Sequence, residues 1–233
     1  MDGQSNRRLF RDRTEAGRLL ANKLTAYANQ PDTLTLGLPR GGVLVAYEVA
    51  KALGAPLDII LVRKLGVPGE QELAMGAISS GGVRVLNEDV VRMLRAPDSV
   101  IESVTARERR ELERRERLYR GDRPTPVIEG KTVILVDDGI ATGATMRAAI
   151  ALVRKQRPAA VVVAIPVAPL STCAVLRSHV DALVCVMEPE NFLAIGFWYE
   201  SFPQTTDEEI QSLLGYAWSN HLDAGRPAPE AGP

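Results

Sequence analysis

Cysteine and histidine are nearly missing from this chain, with two of each in 233 residues. Cys173 and Cys185 have neither metal-ligand nor disulfide-framework spacing and lie in apolar sequence, so buried thiols in a reducing compartment are expected rather than a bridge. His179 and His221 fall in expected helices, the second of them terminal, where core or surface roles suit them better than catalysis. Aromatic residues make up only 5% of the chain, and five of the eleven gather in one late segment. Neither sign of charge dominates. A net charge of -1 gives no global field toward an anionic membrane or nucleic acid, and nucleic acid is not an expected partner without a local patch. No apolar window approaches the length of a membrane span, and the polar start with Arg7, Arg8, Arg11 and Arg13 has no leader-like apolar stretch; the expected location is cytoplasmic. The spacings GxGxxG and GxxxxGK[ST] are absent too, which excludes a dinucleotide fingerprint and a P-loop kinase.

What is present is alternation. Apolar runs of strand length at 33–37, 57–62, 133–136, 160–167 and 182–187 are separated by helical patterns, as in an α/β fold with a doubly wound, mainly parallel sheet. A helical stripe is expected over 12–29 and a helix over 43–53, closed by Gly54 and Pro56. The stretch 63–76, with Gly66, Pro68 and Gly69 among charges, reads as a long exposed loop of the kind that serves as a lid. Short strands near 77–79 and 83–86, joined by Gly81-Gly82, suggest a hairpin. We expect one domain over 1–222 with a charged helical insertion at about 98–120 and a small C-terminal hood at about 187–206, then a disordered tail over 223–233. The insertion centres on the dense charges of Arg107–Arg117. A solvated helix with i,i+4 pairs explains them, and a basic face for a phosphate chain or RNA is the sharper alternative.

The chemistry concentrates in Val133-Ile-Leu-Val-Asp-Asp-Gly-Ile-Ala-Thr-Gly-Ala-Thr145. A buried strand runs into two carboxylates at its C-terminal edge, where open α/β sheets bind ligands. Neighbouring carboxylates repel unless hydroxyls, a cation or another positive group compensates them. Directly after them, Thr142-Gly143-Ala144-Thr145 opens a helix whose unspent amides and positive dipole end attract an anion. Acceptors for hydroxyls or Mg2+ followed by donors for a phosphate would together suit a sugar phosphate.

This string resembles the PRPP-binding signature of the type I phosphoribosyltransferases. The resemblance implies that Asp137 and Asp138 hold the ribose hydroxyls, directly or through water hold Mg2+, and are catalytic. It also implies that Thr142, Gly143, Ala144 and Thr145 bind the 5-phosphate, and that Ala141 belongs to the substrate-binding set. Gly37-Leu-Pro-Arg-Gly-Gly42 is a glycine-rich strand-to-helix turn on the same edge; beside the signature, its Arg40, Gly41 and Gly42 resemble the family's pyrophosphate loop, which commonly contains a non-proline cis peptide. Arg63 and Lys64, at the expected end of the second strand, look like the basic pair that neutralises pyrophosphate, and the stretch after them like the loop that closes over the reacting centre. The segment 189–202 is similar to the hood that covers the acceptor base in hypoxanthine-type relatives. A satellite core or a dimer contact would account equally well for its aromatics. Ala141 stands where oxopurine enzymes of the family place an Asp and adenine-type relatives an Ala, so the usual carboxylate at the purine ring is missing.

The expectation is a Mg2+-dependent phosphoribosyltransferase. It would move the 5-phosphoribosyl group from PRPP to a nitrogen acceptor, a nucleobase or related small molecule, and release pyrophosphate. The alternative is a PRPP-sensing regulator of the same fold without catalysis. A homodimer is left open.

Overall fold

Strands buried on both faces favour apolar sequence, and five short runs, three of them almost wholly apolar, form one parallel sheet here. The computed structural model describes residues 9–68 and 70–224, with side chains at all of these except 70–73 and 220–224. Arg7, Arg8, the His221 side chain and the tail beyond Ala224 lie outside the described residues.

The carboxylate of Asp12 accepts the Glu15 amide at 2.8 Å and starts helix α1 (Arg13–Ala21). Asn22 ends it, Leu24 turns into the core, and only a 3-10 turn at Thr25–Tyr27 remains of the rest of the expected 12–29 helix. Strand β1 (Thr33–Gly37) feeds α2 (Gly41–Leu53), which Gly54 closes at φ 63°. Strand β2 (Leu57–Ile59) is shorter than the expected 57–62 run, because Val62 already begins β3 (Val62–Val67). Next come β4 (Glu70–Ser79), β5 (Arg84–Leu86), α3 (Glu88–Leu94) and α4 (Asp98–Arg120). The second half is β6 (Thr132–Val136), α5 (Ala144–Arg154), β7 (Ala160–Val167), α6 (Leu170–Arg177), β8 (Ala182–Met187) and α7 (Asp207–Ala224). A reciprocal pair starts α7: the Thr206 amide donates to Glu209 at 2.8 Å and the Glu209 amide to the Thr206 hydroxyl at 3.2 Å.

The main sheet has the order β2-β1-β6-β7-β8, all parallel. Its two faces are both covered: Ile134, Val136, Val162 and Ala164 join one core with α1, α2, α4 and α7, while Val133, Leu135, Val161 and Val163 join the other with α5 and α6. Alternate residues of each strand thus serve opposite layers, the doubly wound arrangement expected. No described helix is long and apolar enough to cross a membrane.

Three expectations need correcting. The stretch 63–76 is mostly strand: β3, β4 and β5 form a separate antiparallel sheet, in which Leu65 and Met75 are fully buried. The expected turn at Gly81-Gly82 does join β4 to β5. Helix α4 is not simply solvated, because Ile101, Val104, Leu112 and Tyr119 pack into the core and its last residue, Arg120, is buried. Apart from the buried Glu108 and Arg120, its charges lie on the remaining faces. His179 sits exposed beyond the end of α6, with Nδ1 2.9 Å from the Val175 carbonyl oxygen, and not within a helix.

Candidate active site

Strands β1 and β6 run side by side with Gly37 level with Val136, so the loops that leave them meet. The first loop holds a cis peptide bond between Pro39 and Arg40 and delivers Gly41 and Gly42 against the acid pair. A Cβ on Gly41 would lie 1.9 Å from Asp138 Oδ2, and one on Gly42 would lie 2.8 Å from the Asp137 Cα. No side chain fits at either position. Gly42 therefore lets its backbone lie directly on that of Val136 and Asp137, and Gly41 makes room for the Asp138 carboxylate and the Arg13 side chain.

The two acids differ. Asp138 is buried and its Oδ2 accepts from Arg13 Nε at 2.7 Å, while its backbone carbonyl accepts from the Tyr199 hydroxyl at 2.5 Å. Burial pushes its carboxyl up, and the Arg13 charge opposes that. Asp137 is half-buried, and its Oδ1 accepts the Asp138 amide at 2.9 Å. Among the described residues it has no such ion pair; burial first, and then the neighbouring Asp138 charge, hold its carboxyl well above the ordinary range. Repulsion inside the pair is thus compensated at Asp138 and left standing at Asp137.

Five residues past Asp138, Gly143 at φ 73° turns the chain into α5. Ala141, Thr142 and Thr145 are exposed, Ala144 is half-buried, and the first amides of the helix have no carbonyl to bond within it. Two contacts fix this turn. Thr172 of α6 donates its hydroxyl to the Ala141 carbonyl at 2.8 Å, and Arg147 donates to the Thr142 carbonyl at 3.0 Å. The result is a held, amide-lined and electropositive cradle at the same sheet edge as the acids.

The basic residues are less collected than their order suggests. Arg63 and Lys64 are adjacent on β3, so their side chains point to opposite faces. Arg63 lines a small cleft of about 40 Å³ with Pro39, Arg115 and Thr145, whereas Lys64 lines a separate cleft of about 550 Å³ with Arg147 of α5. Arg63 is also engaged: its Nη2 lies 2.6 Å from Glu108 of α4, and Arg107 holds the other carboxylate oxygen at 3.0 Å. Arg40 is exposed at the start of α2.

Residues 11–197 match the phosphoribosyl transferase domain. The chain belongs to the phosphoribosyl transferase family. It is 44% identical over 218 residues to proteins of Mycobacterium tuberculosis provisionally named phosphoribosyl transferase MT0597 (strain CDC 1551 / Oshkosh) and Rv0571c (strain H37Rv). That alignment takes in 94% of this chain and 49% of each relative, so the chain spans about half the length of the curated relatives it matches. Among solved structures, TT1426 from Thermus thermophilus is 44% identical and superposes with a TM-score of 0.81, covering 88% of this chain and 97% of that one.

In this phosphoribosyl transferase domain the late aromatic segment is largely a satellite core. Trp198 and Tyr199 are buried with Phe10, Tyr199 and Phe202 lie 4.9 Å apart between ring centroids, and the Arg13 guanidinium stands 3.8 Å over the Phe202 ring. The chain start is stitched to it, with the Phe10 amide donating to Trp198 at 2.9 Å and the Glu200 amide to Phe10 at 2.8 Å. Ile195 packs against Gly139, just past the acids, and Phe197 is the exposed ring of the segment. Sequence reasoning missed Arg13, Tyr199, Glu108 and Arg115. The only signal for Arg13 was the demand of a buried carboxylate pair for a cation, and nothing local says which of 28 Lys and Arg residues answers it.

Proposed function

We propose that the chain transfers the 5-phosphoribosyl group of PRPP to a nitrogen acceptor and releases pyrophosphate, in a Mg2+-dependent reaction. The observation that carries this reading is the meeting of Gly41-Gly42 with the acid pair, beside the open amides of α5 on the same sheet edge. In the proposed reaction the bond from ribose C1 to pyrophosphate breaks, a C1–N bond forms, and the acceptor nitrogen gives up its proton. Covalent work by the protein is small; it positions the sugar and meets charge that develops on the leaving group.

Asp137, the acid without a described cationic partner, would accept from the ribose hydroxyls, and Asp138, held by Arg13, would fix the geometry of the pair. The Thr142–Thr145 amides and hydroxyls would take the 5-phosphate. Arg40, the Gly41 and Gly42 amides, Arg63 and Arg115 would face pyrophosphate, and Lys64 would join them when the β3–β4 hairpin closes over the centre. The donor set suits Mg2+. It offers one or two hard carboxylates and leaves the remaining positions to substrate oxygens and water, and a cation beside Asp137 would offset the burial and the repulsion that together lift its carboxyl. When bound, Mg2+ would supply neutralisation of the pyrophosphate charge. The acceptor is a small molecule. With the exposed Ala141 in place of a carboxylate, an acceptor that needs no acid at that point is favoured.

A second reading, PRPP sensing without transfer, draws on the prior engagement of Arg63 by Glu108 and of Asp138 by Arg13. Incubation with PRPP, Mg2+ and a panel of nucleobases and small amines, followed by pyrophosphate release, separates the two. Transfer is supported by acceptor-dependent release that Asp137→Asn lowers at least 100-fold. PRPP binding without release for any acceptor would favour the sensor, and no PRPP binding would remove both.

A further inference from the structure

The two cysteines, twelve positions apart in sequence, are brought together by the β7–α6–β8 crossover. Cys173 on α6 is fully buried, Cys185 on β8 nearly so, and both are free thiols. Glu188, just past the end of β8, completes a trio whose donor atoms all lie within 4.8 Å of one another. We propose that Cys173, Cys185 and Glu188 bind one thiophilic divalent cation of the zinc class, at a site separate from the phosphoribosyl centre.

Several observations point the same way. Two sulfurs and one oxygen select a borderline-soft ion over Mg2+. Zinc bound to sulfur at ~2.3 Å with tetrahedral angles needs donors roughly 3.8 Å apart, within reach of rotamer adjustment from the spacing observed. Three protein donors leave the fourth position to water, and the partly exposed Glu188 gives an approach from solvent. The charges also balance: two thiolates and a carboxylate are met by a divalent ion together with Arg177, whose Nη2 lies 2.5 Å from Glu188 Oε1. The Cys185 thiol donates to the Met187 carbonyl at 3.1 Å, a bond the ion would replace. The site would clamp α6 to the edge strand. Because Thr172 next to Cys173 holds the Ala141 carbonyl, occupancy would also steady the phosphate cradle.

Co2+ titration of the full, reduced chain tests this, read by the thiolate-to-cobalt charge-transfer absorption in the near ultraviolet. One equivalent should produce the band, Zn2+ should displace it, and Zn2+ should slow alkylation of both cysteines at least tenfold. Cys173→Ser and Cys185→Ser should each abolish the band, and Glu188→Gln should weaken Co2+ binding at least tenfold. Absence of the band at saturating Co2+, a band that survives in either serine variant, or unchanged alkylation with Zn2+ overturns the proposal. So does recovery of the pair as a disulfide that forms faster than metal binds. The alkylation measurement uses the wild-type chain and decides the matter if the serine variants fail to fold.

Discussion

Replacing Arg13 with methionine removes the cation from a pair whose side chains are only 7% and 11% exposed and whose Nε and Oδ2 lie 2.7 Å apart. The methionine keeps most of the apolar stem, so the loss is mainly electrostatic. Breaking a buried pair by deleting one partner typically costs about 3–5 kcal/mol, because the other charge stays in a medium that solvates it poorly. Two lesser losses fall within that range, since the same guanidinium also donates to the Pro203 carbonyl at 2.7 Å and covers Phe202. For a chain of this size the loss corresponds to a fall of roughly 6–20 °C in Tm. Urea unfolding of the full chain measures it, alongside a second variant that joins Arg13→Met with Asp138→Asn. Taking both charges away leaves no orphaned charge, so the double variant should recover a large part of the deficit. A single variant that loses less than about 1 kcal/mol, or a double variant no more stable than the single, would refute the reasoning.

Asp137→Asn should make the protein more stable near neutral pH, at the expense of activity. A carboxyl raised in the folded state contributes stability that is complete below its ordinary value of 3.8 and is lost as pH rises through the raised one, so the gain should vanish on acidification. Unfolding curves at a series of pH values check this, and a variant no more stable than wild type near neutrality would contradict it. Glu108→Gln takes the charged acceptor from Arg63 and Arg107, which should cost about 1.5–3 kcal/mol and change the KM for PRPP more than kcat; denaturation and PRPP saturation read the two effects. Gly42→Ala drives a methyl to within 2.9 Å of the Val136 carbonyl oxygen and should cost about 1–3 kcal/mol, whereas Gly66→Ala, with no described atom within 4 Å, should stay within about 0.5 kcal/mol of wild type. Paired thermal melts of the two alanine variants make that comparison.

What the chain order revealed was whatever is local. β1, β7 and β8 occupy their expected spans, and β6 departs by one residue; β7, β8 and Val133–Val136 are unbroken apolar runs, whereas β1 alternates threonine and leucine. The turn into α5 and the Gly41-Gly42 loop were legible for the same reason: each is a strand end, a loop and a helix start within a dozen residues. The β3–β4 hairpin was not. Its strands carry charges and glycines, and what makes them strands is pairing with one another and with β5, which periodicity does not report. The charged helix misled in another way. Its buried stripe of Ile101, Val104 and Leu112 is diluted by arginines, and only the packed structure separates Glu108, which holds Arg63, from the glutamates that face water. The cysteines show the limit most clearly, since a crossover converts unpromising spacing into contact.

Arg13 and its acceptor Pro203 are 190 positions apart, and Phe10 is hydrogen-bonded to the segment that holds Trp198 and Glu200. During synthesis, then, Asp138 emerges long before the aromatic segment that closes beside it, and Arg13 waits for its remaining contacts until Pro203 has been made. The ligand-ready centre would be among the last parts of the fold to mature, and a chain stopped short of Pro203 would have its central strands but an unfinished site.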